Sequence, residues 1–183
     1  MNETQLLKQQ CELEARGLRE IAQLCARTLP LSRRSDGANY IEFIRCCAHY
    51  LQYIGDRCEA RDADHEAHLR AGAAEAERAD LERHRTALLL RRQALAALAD
   101  ALARTDESFS QATTETLSHY CALLAQSGIE ESTALAAVAA RRYTIEDWRA
   151  IARVDADSIR EERRLRAEVL RLSDALRGEP RGL

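Results

Sequence analysis

Metal binding or acid–base chemistry in this 183-residue chain would depend on its five histidines and six cysteines. His84 shares a helical stripe with Leu81 and Leu88, so its side chain is predicted to point inward. It is then either a core histidine hydrogen-bonded to a carboxylate or a carbonyl, or a metal ligand. His65 and His68 lie in a densely charged segment that we expect to be solvated, which favours a surface role over a metal clasp.

The cysteines form no CxxC pair, and the chain starts without the pattern of a secretory signal. We therefore expect reduced thiols that pack as small core residues, with a disulfide framework as the alternative. No nucleophile–base pair, glycine-rich phosphate loop or paired acidic motif is visible, so an enzyme is the least favoured function. The six cysteines are Cys11, Cys25, Cys46, Cys47, Cys58 and Cys121.

The charge balance and the hydropathy pattern argue against two classes of partner, nucleic acid and membrane. The 27 basic and 30 acidic residues are interleaved and leave a formal net charge of −3, with no basic block that would bind nucleic acid. No apolar run approaches the roughly 18 residues of a membrane-spanning helix. We expect a cytoplasmic protein that binds neither nucleic acid nor membrane.

The elements that must position these residues are helices. Prolines number 2, glycines 7, and aromatic residues make up only 4% of a chain dominated by good helix formers. Apolar spacing predicts four long helices and a C-terminal one, although Gly55 and the polar run 59–68 obscure the end of the second. The predicted helices are Glu3–Thr28, a second from Ala38 toward a turn at Ala71-Gly72, Ala74–Arg104, Phe109–Gln126 resuming at Ile129–Ala140, and Thr144–Arg177.

Local signals mark the helix ends. Asp36 is a candidate N-cap for the second helix, and Thr144 with Asp147 forms a capping-box pattern at the start of the last one. The apolar seam of that last helix is interrupted at Asp155 and Glu162. The seam is wide enough either to pack on the other helices or to pair with another chain.

Three segments carry a resemblance to a known family. They are YIEFIRCCAHYLQYIGD (Tyr40–Asp56), LERHR (Leu81–Arg85), and the stretch from Leu117 through RRYTIEDWRAIA, which ends at Ala152. These segments resemble the second, third, fourth and closing helices of the bacterial hemerythrin-like (HHE cation-binding) domain, and together they span most of residues 5–152. The most specific match is the entry to the closing helix around Trp148.

The resemblance implies a fold. It is all-α: an up-and-down four-helix bundle over residues 1–143, with an additional C-terminal helix in residues 144–183 that packs on the bundle or mediates self-association. In the family, two His–carboxylate pairs one helical turn apart and two single histidines hold two irons, at which dioxygen or nitric oxide binds.

The same resemblance implies a depleted site in this chain. Of the four imidazole positions only His84 is retained. The other three imidazole positions carry Cys11, Gln52 and Ser127. The two carboxylate positions carry Asp56 and Glu131. A remnant set of Cys11, Asp56, His84 and Glu131 has the ligand count for a single four-coordinate zinc or iron.

The sequence is compatible with two functions. The first is a regulatory or interaction module without a normal diiron site and without a cofactor, acting as a homodimer or with another protein. The alternative is a sensor with a rewired core site that takes iron or zinc, a small ligand, or heme with His84 or Cys11 as axial ligand.

Overall fold

The computed structural model describes residues 2–29, 38–73, 75–104, 111–126 and 143–178. Within these ranges the chain is all-helical and contains no strand. The candidate cap Asp36 and the predicted helical stretch Ile129–Ala140 lie outside the described residues. The helices are α1 (Glu3–Thr28), α2 (Ala38–Arg70), α3 (Glu75–Ala103), α4 (Gln111–Gln126), α5 (Ile145–Ala152) and α6 (Ala156–Gly178).

Local signals set the start of α1. The Asn2 side chain accepts a hydrogen bond from the Gln5 amide at 2.9 Å, and the Gln5 side chain accepts one from the Asn2 amide at 3.1 Å. This capping box satisfies two amides that have no partner inside the helix. The predicted bounds of α1 are confirmed, and those of α3 agree to within one residue at each end.

Helix α2 does not end in its charged half. It continues through Gly55 and the run 59–68 to Arg70, and the predicted turn at residues 71–72 follows. In the segment around His65 and His68, which is predicted to be solvated, the polar side chains are half-buried or exposed. The preceding Glu59 and Arg61 are buried. Tertiary partners on other helices compensate these charges, and periodicity along the sequence cannot reveal such partners.

The predicted C-terminal helix is two helices. Arg153 adopts a left-handed conformation, with φ 51°, and ends α5. Asp155 then caps α6: its carboxylate accepts from the Ser158 amide at 2.7 Å, and the Ser158 hydroxyl accepts from the Asp155 amide at 3.0 Å. What the sequence presents as an interruption of the seam at Asp155 is therefore a helix start.

The helices pack in a defined order. Helix α1 lies against α2 and α4, and α3 lies against the same two helices, while α5 contacts α1 and α2. Helix α6 covers α2 and touches α1, and its Val169 and Leu172 are buried in the shared core. The seam of the C-terminal helix is therefore used within the chain.

The largest core side chains come from α1, α2, α3 and α4. They include Ile21, Phe43, Tyr50, Leu51, Ile54, Leu98, Leu117 and Tyr120. All six cysteines are free thiols, and four of them are buried, as the sequence predicts. No helix in the described part of the chain is long and apolar enough to cross a membrane.

Candidate functional site in the helical core

A fully buried carboxylate, Glu14 of α1, lies between two arginines of α2. Arg57 donates from Nη2 to Oε1 at 2.8 Å and from Nε to Oε2 at 3.3 Å. Arg61, one turn later, donates from Nη2 to the same Oε2. Two guanidinium groups thus compensate the cost of burying one carboxylate.

Arg61 also joins α5 to this network. Its Nε donates to the carbonyl of Ala152, the last residue of α5, at 3.1 Å, and its Nη1 reaches the Cys11 carbonyl at 3.5 Å. The Ala152 carbonyl has no acceptor role inside its own helix, so Arg61 satisfies a group that would otherwise be buried without a partner. One side chain therefore links α1, α2 and α5.

A second buried ion pair connects α2 with α3. The Nε of Arg91 lies 2.8 Å and 3.0 Å from the two carboxylate oxygens of Glu59, and its Nη2 donates to Asp62 at 2.7 Å. Burial raises the pKa of Glu59 to about 7, while Arg91 acts in the opposite direction. The core between α1, α2 and α3 thus holds two arginine-bound carboxylates, Glu14 and Glu59.

Two buried tyrosine hydroxyls lie against helical glycines. The Tyr50 hydroxyl sits over Gly17 and donates to Glu162 of α6 at 3.0 Å. The Tyr120 hydroxyl sits over Gly55 and has no hydrogen-bond partner among the described residues. Burial raises the pKa of both tyrosines, so both hydroxyls stay protonated.

At the C-terminal half of α2, an aromatic cluster anchors the start of α5. His65 stacks on Tyr143 with ring centroids 5.3 Å apart, and Trp148 meets both rings at an angle. His68 meets the Tyr143 ring edge-on, and the Lys8 ammonium lies 5.0 Å from the centre of the Trp148 ring. The His65 Nδ1 is 2.9 Å from the Tyr143 hydroxyl. His65 is thus half-buried among aromatic rings, while His68 contacts the Tyr143 ring and stays exposed to solvent.

The aromatic cluster predicts a pH dependence of stability. Burial lowers the pKa of His65 to about 4 from an ordinary value of 6.5. The unfolded chain therefore takes up this proton first, and the stability that neutral His65 contributes is complete above pH 6.5 and lost as the pH falls toward 4. The loss is expected to be on the order of 2–3 kcal/mol. Urea denaturation followed by circular dichroism at several pH values measures it.

The contribution of Glu59 to the pH dependence of stability must be distinguished from that of His65. Because the folded pKa of Glu59, about 7, lies above the ordinary 4.5, its contribution is complete at low pH and is lost as the pH rises through 7. The His65 term is therefore the difference between the wild type and His65→Gln across pH 4–6.5. Two unfolding free energies that change in parallel over that window would contradict the assignment.

The predicted site residues are not brought together as one ligand set within the described residues. His84 is buried, as predicted, and Cys11 is half-buried, whereas Asp56 lies on the exposed face of α2. Glu131 and Ser127 lie outside the described residues. In the part of the chain that the structure describes, no group of three or more His, Cys, Asp or Glu side chains could hold a metal ion. The described residues do not fit a diiron pair, and the four-residue remnant set stays a prediction.

The sequence analysis does not predict the buried charges, although the sequence contains a signal for them. Glu14 precedes Leu18, Ile21 and Cys25 at helical spacing, so it belongs to the apolar stripe of α1. Arg91 falls in the same way on the stripe of α3 that carries His84. A charged residue on an apolar stripe indicates a buried ion pair, but it does not name the partner.

No protein-family model, curated protein or solved structure matches the chain. Its function must therefore be inferred from the buried charges and their partners. Guanidinium groups remain protonated at physiological pH, so they neither accept protons nor bind cations. The carboxylates that they hold are poorly available as general bases or metal ligands. The chemistry of this core favours rigid positioning of helices over catalysis.

Proposed function

We propose that this protein is a hemerythrin-like bundle without a normal diiron site, which acts as a regulatory or interaction module in the cytoplasm and works as a homodimer. The observation that carries the proposal is that arginines neutralise the buried carboxylates Glu14 and Glu59. In a diiron bundle the inward-facing carboxylates are neutralised by metal ions. Here Arg61 and Arg91 supply the positive charge.

The packing order supports the up-and-down bundle that forms part of this proposal. Each of the helices α1, α2, α3 and α4 packs mainly against two of the other three, which is the arrangement of a four-helix bundle with short connections. The sequence resemblance supports the same fold through the motifs around Tyr40–Asp56 and Trp148. Division of the chain at residues 143 and 144 remains part of the prediction.

Electrostatics oppose a cation in this part of the core. A divalent ion near Glu14 would lie within a few ångströms of two guanidinium groups, and repulsion between like charges is strong where water is excluded. Replacing the arginines as counter-ions would also leave them buried without partners, at a cost of several kcal/mol. The ion pairs therefore favour a structural use of the core charges.

Metal content tests the proposal directly. Protein purified without chelator is expected to contain far less than one equivalent of iron or zinc by elemental analysis. Addition of Zn(II) or Fe(II) is expected to leave the melting temperature unchanged, because a ligand stabilises a protein only if it binds the folded state more tightly. Stoichiometric, tightly held iron or zinc, or a heme absorbance band, would overturn the proposal in favour of a sensor.

His84→Ala is the variant that separates the two functions. Under the proposal, the metal content stays low and the unfolding free energy falls modestly, because the substitution removes only a buried core side chain. His119→Ala, at an exposed position of α4, is the matched control. Loss of a bound metal or of an absorbance band in His84→Ala alone would instead identify a ligand site.

A further inference from the structure

The outer face of α3 carries an unusual arrangement of exposed residues. Leu89 and Leu90 are 48% and 50% exposed, although the neighbouring Leu88 is buried. Helix α3 packs against α2 and α4 with its opposite side, so these leucines point away from the core. The outer face is formed by Glu82, Thr86, Leu89, Leu90, Gln93, Ala96, Ala97 and Asp100, with Arg104 in the turn directly after the helix, all of which are exposed.

This face is self-complementary about Gln93. Two leucines precede Gln93 by four and three residues, and two alanines follow it by three and four. Further out, Thr86 and Asp100 each lie seven residues away, and Glu82 and Arg104 each lie eleven residues away. Separations of three, four, seven and eleven residues keep a side chain on one helical face. Each leucine thus has an alanine at the same distance on the other side of Gln93. In the same way, the donor Thr86 has the acceptor Asp100 as its counterpart, and the acidic Glu82 has the basic Arg104.

We propose that the outer face of α3 binds the same face of a second copy of this chain, antiparallel and with a two-fold axis at Gln93. Leu89 and Leu90 of one copy then pack over the alanines of the other, and the Gln93 amides meet on the axis. The Thr86 hydroxyl, which donates to the Glu82 carbonyl of its own helix at 3.0 Å in the single chain, turns to the opposite Asp100, and Glu82 pairs with the opposite Arg104. Such an isologous contact closes as a dimer.

The current partners of the charged groups do not prevent this pairing. Glu82 accepts from Arg70 at 3.0 Å, and Arg104 lies 3.8 Å from Asp100, but all of these side chains are exposed. Exposed ion pairs contribute little to stability and rearrange readily. A single helix pair buries less than the ~1,600 Å² of a standard interface, so a dissociation constant in the micromolar range is expected.

Sedimentation of the full chain over a range of concentrations tests the interface. The wild type is expected to shift from monomer to dimer, while Leu90→Lys stays monomeric and retains its helical circular dichroism. Leu170→Lys is the matched control, because Leu170 is 45% exposed on α6, away from this face. A wild type that remains monomeric throughout, or a Leu90→Lys variant that dimerises like Leu170→Lys, would overturn the proposal.

Charge reversal tests the antiparallel register. Glu82→Arg alone and Arg104→Glu alone are each expected to weaken the dimer several-fold, because like charges then face each other across the interface. The double variant is expected to recover the wild-type dissociation constant. If the effect of Glu82→Arg came only from its intramolecular neighbour Arg70, the double variant would stay weakened, and the register would be wrong.

Cross-linking tests the position of the axis. Gln93→Cys is expected to form an intermolecular disulfide on mild oxidation, because the two copies of residue 93 face each other. Ala97→Cys is expected not to cross-link, since its counterpart is Leu89. Equal cross-linking of both variants would contradict the axis. The inference deepens the proposed homodimer, and since metal content does not enter these measurements, failure here is distinguishable from failure of the metal-poor assignment.

Discussion

Replacing Glu14 with alanine is expected to lower the free energy of unfolding by about 3–5 kcal/mol. The substitution removes the one carboxylate, among the described residues, to which Arg57 and Arg61 both donate, and it leaves two largely buried guanidinium groups without this counter-ion. Because Arg61 also holds the Ala152 carbonyl, the docking of α5 is expected to loosen together with that of α1. Urea denaturation followed by circular dichroism and by Trp148 fluorescence measures both effects.

The matched control for Glu14 is Glu3→Ala on the same helix. Glu3 pairs with Arg149 at 2.6 Å, but both side chains are about half exposed, so the expected loss is much smaller than at Glu14. Equal losses for the two variants would show that the Glu14 charge is not buried. Replacing Glu14, Arg57 and Arg61 together with apolar residues of similar size is expected to recover only part of the stability, since no uncompensated charge then remains but the buried Ala152 carbonyl loses its donor.

Gly55→Ala is expected to destabilise the protein by about 1–3 kcal/mol, although alanine is the better helix former. A methyl group at this position would lie 2.6 Å from the Tyr120 hydroxyl and 3.2 Å from the methyl groups of Leu95. The hydroxyl is buried in a close-packed core, so α4 must shift to relieve the overlap. Thermal and urea unfolding of the single variant measure the cost.

The substitution Tyr120→Phe is expected to restore the stability that Gly55→Ala removes. Its hydroxyl has no hydrogen-bond partner among the described residues, so its removal is expected to be neutral or stabilising. The Gly55→Ala, Tyr120→Phe double variant should therefore recover most of the lost stability. Persistent destabilisation in the double variant would show that contact with the Tyr120 hydroxyl is not the cause.

The other tyrosine–glycine contact predicts a different pattern. Tyr50→Phe removes the hydroxyl that lies against Gly17 and, with it, the hydrogen bond that Glu162 accepts from the Tyr50 hydroxyl. Because Glu162 is buried, the single variant is expected to cost about 1–3 kcal/mol. The two tyrosines thus serve as controls for each other. Loss of the hydroxyl is expected to leave the stability unchanged or higher at Tyr120 of α4 and to lower it at Tyr50 of α2.

The helices themselves follow from local signals. The periodicity of Leu18, Ile21 and Cys25, the capping pattern at Thr144, and the scarcity of glycine and proline were sufficient to predict α1, α3 and the start of α5. The capping box at Thr144 can be predicted because the Thr144 hydroxyl and the Asp147 carboxylate lie only three residues apart. Asp155 and Ser158 show the equivalent pattern, but the apolar spacing that continues beyond them favours one uninterrupted helix.

The buried network was decided by distant partners. Glu14 meets Arg57 and Arg61 across 43 and 47 residues of chain, and Tyr50 meets Glu162 across 112. A helix pattern reports which residues share a face, because it depends on neighbours within one or two turns. It does not report which charge on another helix will lie opposite, because that depends on how the helices dock. All-helical character, most helix bounds and the inward position of His84 could therefore be predicted from the residues alone. The arginine-bound carboxylates, which define the character of the core, arise only when α1, α2, α3 and α5 come together.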